Sequence, residues 1–215
     1  MVRTAAARPF VLWLHGLGDT GNGWSFLASE MAMKDVRYSF PTAPTAPVSC
    51  NGGYRMTSWM DLEAIPVTPT LRDDEDGLAA STKIIHGLLD AEIAKGTASD
   101  DIVLGGFSQG GAMALLAAYS YPKPLRGVAV LSGWAALKPG WSGRVGGGAN
   151  TKTPAFVGHG TQDGTVLPSC GEEVARLLGE SGVPTLYKTY PVEHGAHPEE
   201  LRALKGWMEG VFSGE

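Results

Sequence analysis

Short, continuously apolar segments that alternate with helical segments are the feature that most constrains the fold of this 215-residue chain. Segments 10–14 and 127–131 are apolar at almost every position, whereas a strand with one wet face would alternate apolar and polar residues. Further buried strands are predicted at 36–40, 102–106, 155–158 and 186–190. The pattern predicts an α/β fold in which a mostly parallel central sheet carries helices on both faces.

Helical spacing is clearest at Leu78, Ile85, Leu89 and Ile93, where apolar residues return every three to four positions before a glycine. Other helices are predicted at 24–33, 109–120, 171–182 and 199–212. Segments 41–72 and 132–153 interrupt the alternation, and we expect both to be long loops that line a binding site. Because no linker or repeat divides the chain, we expect a single domain over 1–215 with a flexible N-terminus at 1–9.

Charge and cysteine content exclude several classes of function. The net charge is −5 and no basic run occurs, which disfavours nucleic acid or an anionic membrane as the main ligand. Cys50 and Cys170 are far apart and form no metal-binding motif, so we expect a reducing compartment. The first apolar stretch is shorter than the core of a signal peptide, and none approaches the roughly 20 residues of a membrane span. We therefore expect a soluble cytoplasmic protein with no nucleic-acid partner.

The strongest local motif is the G-x-S-x-G of residues 106–110, which follows a predicted strand and precedes a predicted helix. This is the context of a nucleophile elbow, where a serine lies on a tight turn and glycines leave room for the chain around it. Outside this context the motif would be a glycine-rich turn with an incidental serine. The flanking elements favour Ser108 as a nucleophile.

A serine hydroxyl needs a base and a carboxylate to orient that base. In α/β folds that carry a G-x-S-x-G nucleophile elbow, the partners follow along the chain in the order Ser, Asp, His. Asp163 and His194 each follow a predicted strand and have this order, so we predict that both lie at the same sheet edge as Ser108.

Each partner has rivals. The acidic residues at 73, 74, 76, 100 and 101 fit helix caps or solvated charge, but Asp61 is less easily dismissed. His197 is the main rival of His194, while His86 fits packing and the histidines at 15 and 159 fit bracing of glycine-rich loops. The two histidines at 194 and 197, with glutamates at 199 and 200, would also suit a metal, but Pro198 interrupts them and no further ligand has supporting spacing. We expect neither a metal nor a cofactor.

Acyl transfer by a serine nucleophile also requires hydrogen-bond donors for the oxyanion. The backbone N–H of Gln109 is one predicted donor, because it directly follows the nucleophile. We choose the N–H of Leu17 as the second, since glycines on both sides allow its main chain to approach the substrate closely. The alternative for this segment is a simple flexible connection between strand and helix.

Three segments together resemble the acyl-protein thioesterase family, which is also described as lysophospholipase-like carboxylesterases. They are Leu-His-Gly-Leu-Gly-Asp-Thr-Gly at 14–21, Gly-Gly-Phe-Ser-Gln-Gly-Gly at 105–111, and Tyr-Pro-x-x-His at 190–194. The likeness runs from about residue 12 to 207 and includes Ser-Trp-Met-Asp at 58–61. It implies one α/β-hydrolase domain without a large cap, and a serine hydrolase that removes long acyl chains from cysteine thioesters and cleaves related esters.

The resemblance assigns the nucleophile to Ser108, the orienting carboxylate to Asp163, the base to His194 and the oxyanion donors to the amides of Leu17 and Gln109. Substrates would be S-acylated proteins or acyl-ester lipids, met during transient contact with a membrane surface, and the chain would be a monomer or a weak homodimer. We expect an acyl channel with apolar walls, formed by Leu62, Ile65, Val67, Leu71 and Trp134.

The chain departs from the family in two places. The family commonly has His-Gly-Asp-x-Asp-Pro-Val-Pro where this chain has His-Gly-Thr-Gln-Asp-Gly-Thr-Val-Leu-Pro, and a small residue or cysteine often replaces His197. These changes affect chain-length and head-group preference rather than reaction class. Two alternatives stay open: a general carboxylesterase or lysophospholipase acting on oxygen esters, and a catalytically silent fold that binds a small molecule or a partner protein.

Overall fold

Six parallel strands form the central sheet of this protein. The structure, a computed structural model, describes residues 8–138 and 141–214, with only the backbone at 142, 144 and 146. The strands are β1 (Phe10–Leu14), β2 (Arg37–Ser39), β3 (Thr45–Val48), β4 (Tyr54–Thr57), β5 (Ile102–Phe107), β6 (Gly127–Leu131), β7 (Ala155–Gly160) and β8 (Thr185–Tyr190). The sheet has the order β2-β1-β5-β6-β7-β8, and β3 pairs with β4 separately. The six predicted sheet strands are confirmed in position, but the prediction that all are buried is wrong for the two edge strands: β2 is only partly buried, and Tyr190 is the one buried residue of β8.

Helices cover both faces of the sheet, as predicted. They are α1 (Phe26–Met31), α2 (Glu75–Ala94), α3 (Gln109–Ser120), α4 (Trp141–Gly146), α5 (Pro168–Glu180) and α6 (Pro198–Ser213). Successive side chains of β1 enter opposite cores: Leu12 packs in the cluster that includes α2, α3 and α5, whereas Trp13 packs in the cluster that includes α1 and α6. This two-sided burial explains the continuously apolar strands. The described ranges form one α/β domain, and no cap domain occurs in them.

The prediction of two long loops is wrong in part, because each of the two segments contains regular structure. Segment 41–72 holds the antiparallel hairpin of β3 and β4, whose turn uses Gly52 and Gly53 at φ values of +64° and +81°. The hairpin escapes the apolar pattern because none of its β4 residues is buried. Segment 132–153 contains the short helix α4.

Two further predictions concern the chain's terminus and a membrane. Of the predicted flexible segment 1–9, residues 1–7 lie outside the described residues. Within the part of the chain that the structure describes, no helix is both long and apolar enough to span a bilayer.

Candidate active site

Ser108 lies in a sharp turn between β5 and α3. Its φ of +55° is rare for a residue with a side chain, and neighbouring glycines make the turn sterically possible. A Cβ on Gly106 would lie 2.4 Å from the carbonyl group of Gly110, and a Cβ on Gly110 would lie 2.2 Å from the carbonyl oxygen of Leu14. The two glycines of the motif are therefore required where strand, turn and helix make close contact.

Ser108, His194 and Asp163 form one chain of hydrogen bonds. The Ser108 Oγ lies 2.9 Å from the Nε2 of His194, and the Nδ1 of His194 lies 2.7 Å from the Oδ2 of Asp163. The three residues follow β5, β8 and β7, so the parallel strands bring them to one sheet edge. The arrangement has the geometry of a Ser-His-Asp triad.

The other oxygen of Asp163 is held by the backbone. Its Oδ1 accepts hydrogen bonds of 2.9 Å from the amides of Thr165 and Val166. Burial alone would raise the pKa of this carboxyl group, but the hydrogen bonds from His194 and these amides outweigh burial and lower it. An ionised Asp163 accepts a hydrogen bond from the N–H at Nδ1 of His194, which leaves the lone pair of Nε2 free to take the proton of the Ser108 hydroxyl.

Phe107 supports the ring of His194, and reasoning from the sequence missed it. The two ring centroids lie 4.8 Å apart with an interplanar angle of 40°. Phe107 is the variable residue that precedes the serine in the G-x-S-x-G motif. Its position next to the nucleophile was the available signal, since the base lies within hydrogen-bond distance of that nucleophile.

The two predicted oxyanion donors are unpaired within the described parts of the chain. The backbone N–H groups of Leu17 and Gln109 have no acceptor there. The loop that carries Leu17 adjoins the nucleophile, because a Cβ on Gly16 would lie 3.3 Å from the Cβ of Ser108.

The Gln109 side chain is fixed by the segment Ser58-Trp59-Met60. Its Oε1 accepts the backbone N–H of Trp59 at 2.8 Å, and its Nε2 donates to the Met60 carbonyl at 2.8 Å.

A mainly apolar cavity of about 330 Å³ opens above Ser108. It contains the predicted lining residues Leu62, Ile65, Val67 and Trp134, but Leu71 lies outside it and faces a neighbouring groove instead. Residues that sequence reasoning missed complete the walls: Trp24, Asn51, Met56, Thr165 and Val166. They escaped notice because they come from segments scattered along the chain, including the unpredicted hairpin.

The rivals of the triad residues have other contacts. His197 is the N-cap of α6, where its Nδ1 accepts the Glu199 amide at 3.2 Å. Asp61 accepts the Ser49 amide at 2.7 Å. Among the described residues, no three His, Cys, Asp or Glu side chains are grouped so as to hold a metal ion.

Known proteins are similar to this chain in sequence and in fold. The carboxylesterase SOBER1 of Arabidopsis thaliana is 37% identical over 214 residues, which cover 97% of this chain and 92% of that protein. Acyl-protein thioesterase 1 of Gibberella zeae is 38% identical over 207 residues, covering 92% of this chain and 88% of its own. The crystal structure of Arabidopsis thaliana SOBER1 superposes with a TM-score of 0.89 at 36% identity, covering 95% of this chain and 99% of that chain.

The sheet, the elbow and the triad-like arrangement define a serine hydrolase of the α/β-hydrolase class. The chain belongs to the phospholipase/carboxylesterase family, whose family model matches residues 2–211. The resemblance drawn from the sequence is thereby confirmed at the level of the family.

Proposed function

We propose that this protein hydrolyses carboxyl esters and thioesters of apolar acyl groups through an acyl-enzyme on Ser108. The observation that carries the proposal is the position of Ser108, which lies 2.9 Å from the Nε2 of His194 at the base of an apolar cavity. In the first half-reaction, the Ser108 Oγ forms a bond to the carbonyl carbon as its proton passes to Nε2 of His194. The amides of Leu17 and Gln109 donate to the resulting oxyanion.

Collapse of the tetrahedral intermediate breaks the bond to the leaving oxygen or sulfur, which takes the proton from His194. A water molecule then attacks the acyl-serine with His194 as base, and the acid and free Ser108 are released. Asp163 stays ionised throughout and stabilises the imidazolium of His194. The same steps serve both kinds of ester, so the choice between them depends on the leaving-group contacts.

The size of the cavity favours acyl groups of medium length. Its volume of about 330 Å³ lies near the lower end of the roughly 300–1,000 Å³ that ligand pockets occupy. Each methylene that it buries contributes up to about 0.8 kcal/mol, less the cost of ordering the chain. An octanoyl group therefore gains much more from these walls than an acetyl group does.

A second candidate function is the removal of long acyl chains from cysteine residues of proteins, including depalmitoylation. The observation that favours it is the open rim: Ile65 lines the cavity and is still 46% exposed. A longer chain can continue past this residue, and a polypeptide leaving group can remain outside. Cys50 and Cys170 are free thiols, which supports a cytoplasmic location for either function.

The test compares kcat/KM for matched thioesters and oxygen esters with acetyl, butyryl, octanoyl and palmitoyl groups, below their critical micelle concentrations. We expect kcat/KM to rise from acetyl to octanoyl for both kinds of ester. A further rise to palmitoyl, restricted to an S-acylated peptide, would favour the second candidate. A flat or falling dependence on chain length would contradict the proposed role of the cavity.

A further inference from the structure

His15 is a buried histidine directly after β1 that takes no part in the triad. Its side chain is fully shielded from solvent and bonds at both ring nitrogens. Nε2 lies 3.0 Å from the backbone nitrogen of Ala43, and Nδ1 lies 2.7 Å from the carbonyl oxygen of Gly16. The ring therefore joins the loop at 15–19, which follows β1, to the segment at 41–43.

These contacts fix the tautomer of the ring. An amide N–H can only donate, so Nε2 of His15 must accept the bond from Ala43 and carry no proton. Nδ1 then carries the proton and donates it to the Gly16 carbonyl. Burial lowers the pKa of His15 and outweighs the opposing effects of the Gly16 carbonyl and of Asp19, which keeps the ring neutral.

The Gly16 carbonyl belongs to the same peptide unit as the Leu17 N–H. In a planar trans peptide, the C=O and N–H bonds point in opposite directions, so a donor that holds the carbonyl also sets the direction of the N–H. The only other donor to this carbonyl among the described residues is the Asp19 amide, at a longer 3.3 Å. It closes a turn in which Gly18 has a φ of +75°. The Nδ1 bond is thus the shorter of the two hydrogen bonds that fix the orientation of this peptide.

We propose that His15 is a positioning residue whose Nδ1–H bond to the Gly16 carbonyl aims the Leu17 N–H at the oxyanion. The inference rests on the proposed function, because it assumes that the Leu17 amide stabilises a tetrahedral intermediate. Its consequence is an oxyanion site that is formed before substrate binds. Preformed donors act without reorganisation during the reaction, which is where their catalytic benefit arises.

A purely structural role would depend on the other polar atoms of His15, which are Nε2 of the ring and the backbone carbonyl oxygen. Nε2 anchors Ala43, and the His15 carbonyl accepts the Trp59 indole N–H at 3.0 Å. In that case the contact with Ala43 would be the important one, and loss of the Nδ1 bond would have little effect on the reaction. The two roles depend on different ring nitrogens, so two amide side chains can separate them.

The experiment compares His15→Asn with His15→Gln. The amide nitrogen of asparagine takes the place of Nδ1 and can still donate to the Gly16 carbonyl. The longer glutamine places its side-chain oxygen near the position of Nε2, where it accepts the Ala43 N–H instead. His86→Gln is the matched control, because His86 bonds the Ala117 carbonyl away from the cavity. For each variant, kcat and KM are measured with p-nitrophenyl octanoate, along with Ki for an alkyl trifluoromethyl ketone, whose serine adduct carries the oxyanion.

We expect His15→Gln to lose about 10²-fold in kcat, the size of effect seen when one oxyanion donor is removed. Its KM should change little, while the ketone should bind more weakly by a similar factor to the loss in kcat. His15→Asn should retain most of the wild-type kcat. Equal kcat values in the two variants, or a more active glutamine variant, would overturn the proposal.

If the variants do not fold, a measurement on the wild-type protein still tests the proposal. Nitrogen chemical shifts of the His15 imidazole should show the proton on Nδ1, and a proton on Nε2 or a charged ring at pH 7 would overturn the inference. Failure of the proposed function would look different, because the wild-type protein would then hydrolyse none of the esters and a fluorophosphonate would not label Ser108.

Discussion

The catalytic edge and the acyl wall meet at the same cavity but are built in different ways. The catalytic edge, meaning Ser108, Asp163 and His194, follows three parallel strands of the central sheet and is joined by hydrogen bonds of 2.7 and 2.9 Å. The acyl wall, meaning Leu62, Ile65, Val67 and Trp134, lies outside the named strands and helices. One region is fixed by directional bonds on a rigid sheet, and the other by apolar packing.

The difference assigns separate roles to the two regions. Polar groups at the catalytic edge must lie within hydrogen-bond distance of the reacting atoms, so substitutions there should change kcat for every substrate. Under the proposed function, the wall contacts only the acyl group through nondirectional burial, so substitutions there should change the preference among substrates. The predictions below test this division.

The largest effect on activity is expected for substitution of His194, the proposed base. His194→Ala should lower kcat about 10⁴-fold or more with all acyl groups, because the members of a triad act as a unit. His197→Ala should leave kcat nearly unchanged and cost about 0.5–2 kcal/mol of stability, since His197 caps α6. Steady-state kinetics and thermal melts distinguish the two variants. A greater loss of kcat in His197→Ala would move the base to that residue.

The second effect concerns the electrostatic cost of a buried carboxylate beside β7. Glu200 is buried, its Oε1 has no hydrogen-bond partner among the described residues, and a Cβ on Gly158 of β7 would lie 2.2 Å from that oxygen. Burial raises the pKa of Glu200 to about 7, although the His197 amide bond opposes the shift. The folded pKa exceeds the unfolded one, so this group favours folding below about pH 4.5, and its contribution is lost as pH rises through 7.

Glu200→Gln should therefore stabilise the protein at pH 8 by roughly 3 kcal/mol and leave its stability almost unchanged at pH 4.5. Glutamine keeps the side-chain bond to the N-cap amide of α6, so the capping geometry is preserved. Glu209→Gln is the control, because Glu209 is exposed on the same helix. Denaturant melts at both pH values measure the effect, and equal stabilities of wild type and Glu200→Gln at pH 8 would contradict it.

The smallest effect is expected at the wall. Ile65→Asp should lower kcat/KM for octanoyl esters about tenfold while sparing acetyl esters, because a charge replaces apolar surface that only the longer chain covers. Leu71→Asp is a matched comparison, since Leu71 faces the adjoining groove. Its ratio of octanoyl to acetyl activity should stay near that of wild type. A similar fall of this ratio in both variants would extend the acyl site into that groove.

Sequence reasoning predicted the catalytic edge better than the wall, for a physical reason. Strands β5, β7 and β8 carry local apolar signals, and parallel strands bring the residues that follow them to one edge, so Ser108, Asp163 and His194 could be placed together. The helix at Gln109–Ser120 was predicted at its observed bounds, since the glycines before it and the apolar residues within it are local signals.

The wall depends on contacts between distant segments, which no local pattern reports. Val67 pairs with Val166 in an isolated bridge that joins segments far apart in the chain. Leu62 and Leu71 lie on the same segment and have similar side chains, yet only Leu62 lines the cavity. The bonds of His15 show the same limit: its place in a glycine-rich loop predicted a bracing role, but the choice of nitrogen and partner required the position of Ala43.

The most direct test of the account is the capture of the acyl-enzyme. The protein is mixed with p-nitrophenyl octanoate, quenched in acid within seconds and analysed by intact mass and by peptide mapping. The account predicts a mass increase of one octanoyl group, located on Ser108 and absent from Ser108→Ala. An octanoyl group on Ser132 or Cys50 of the wild-type protein, or full turnover by Ser108→Ala, would contradict it.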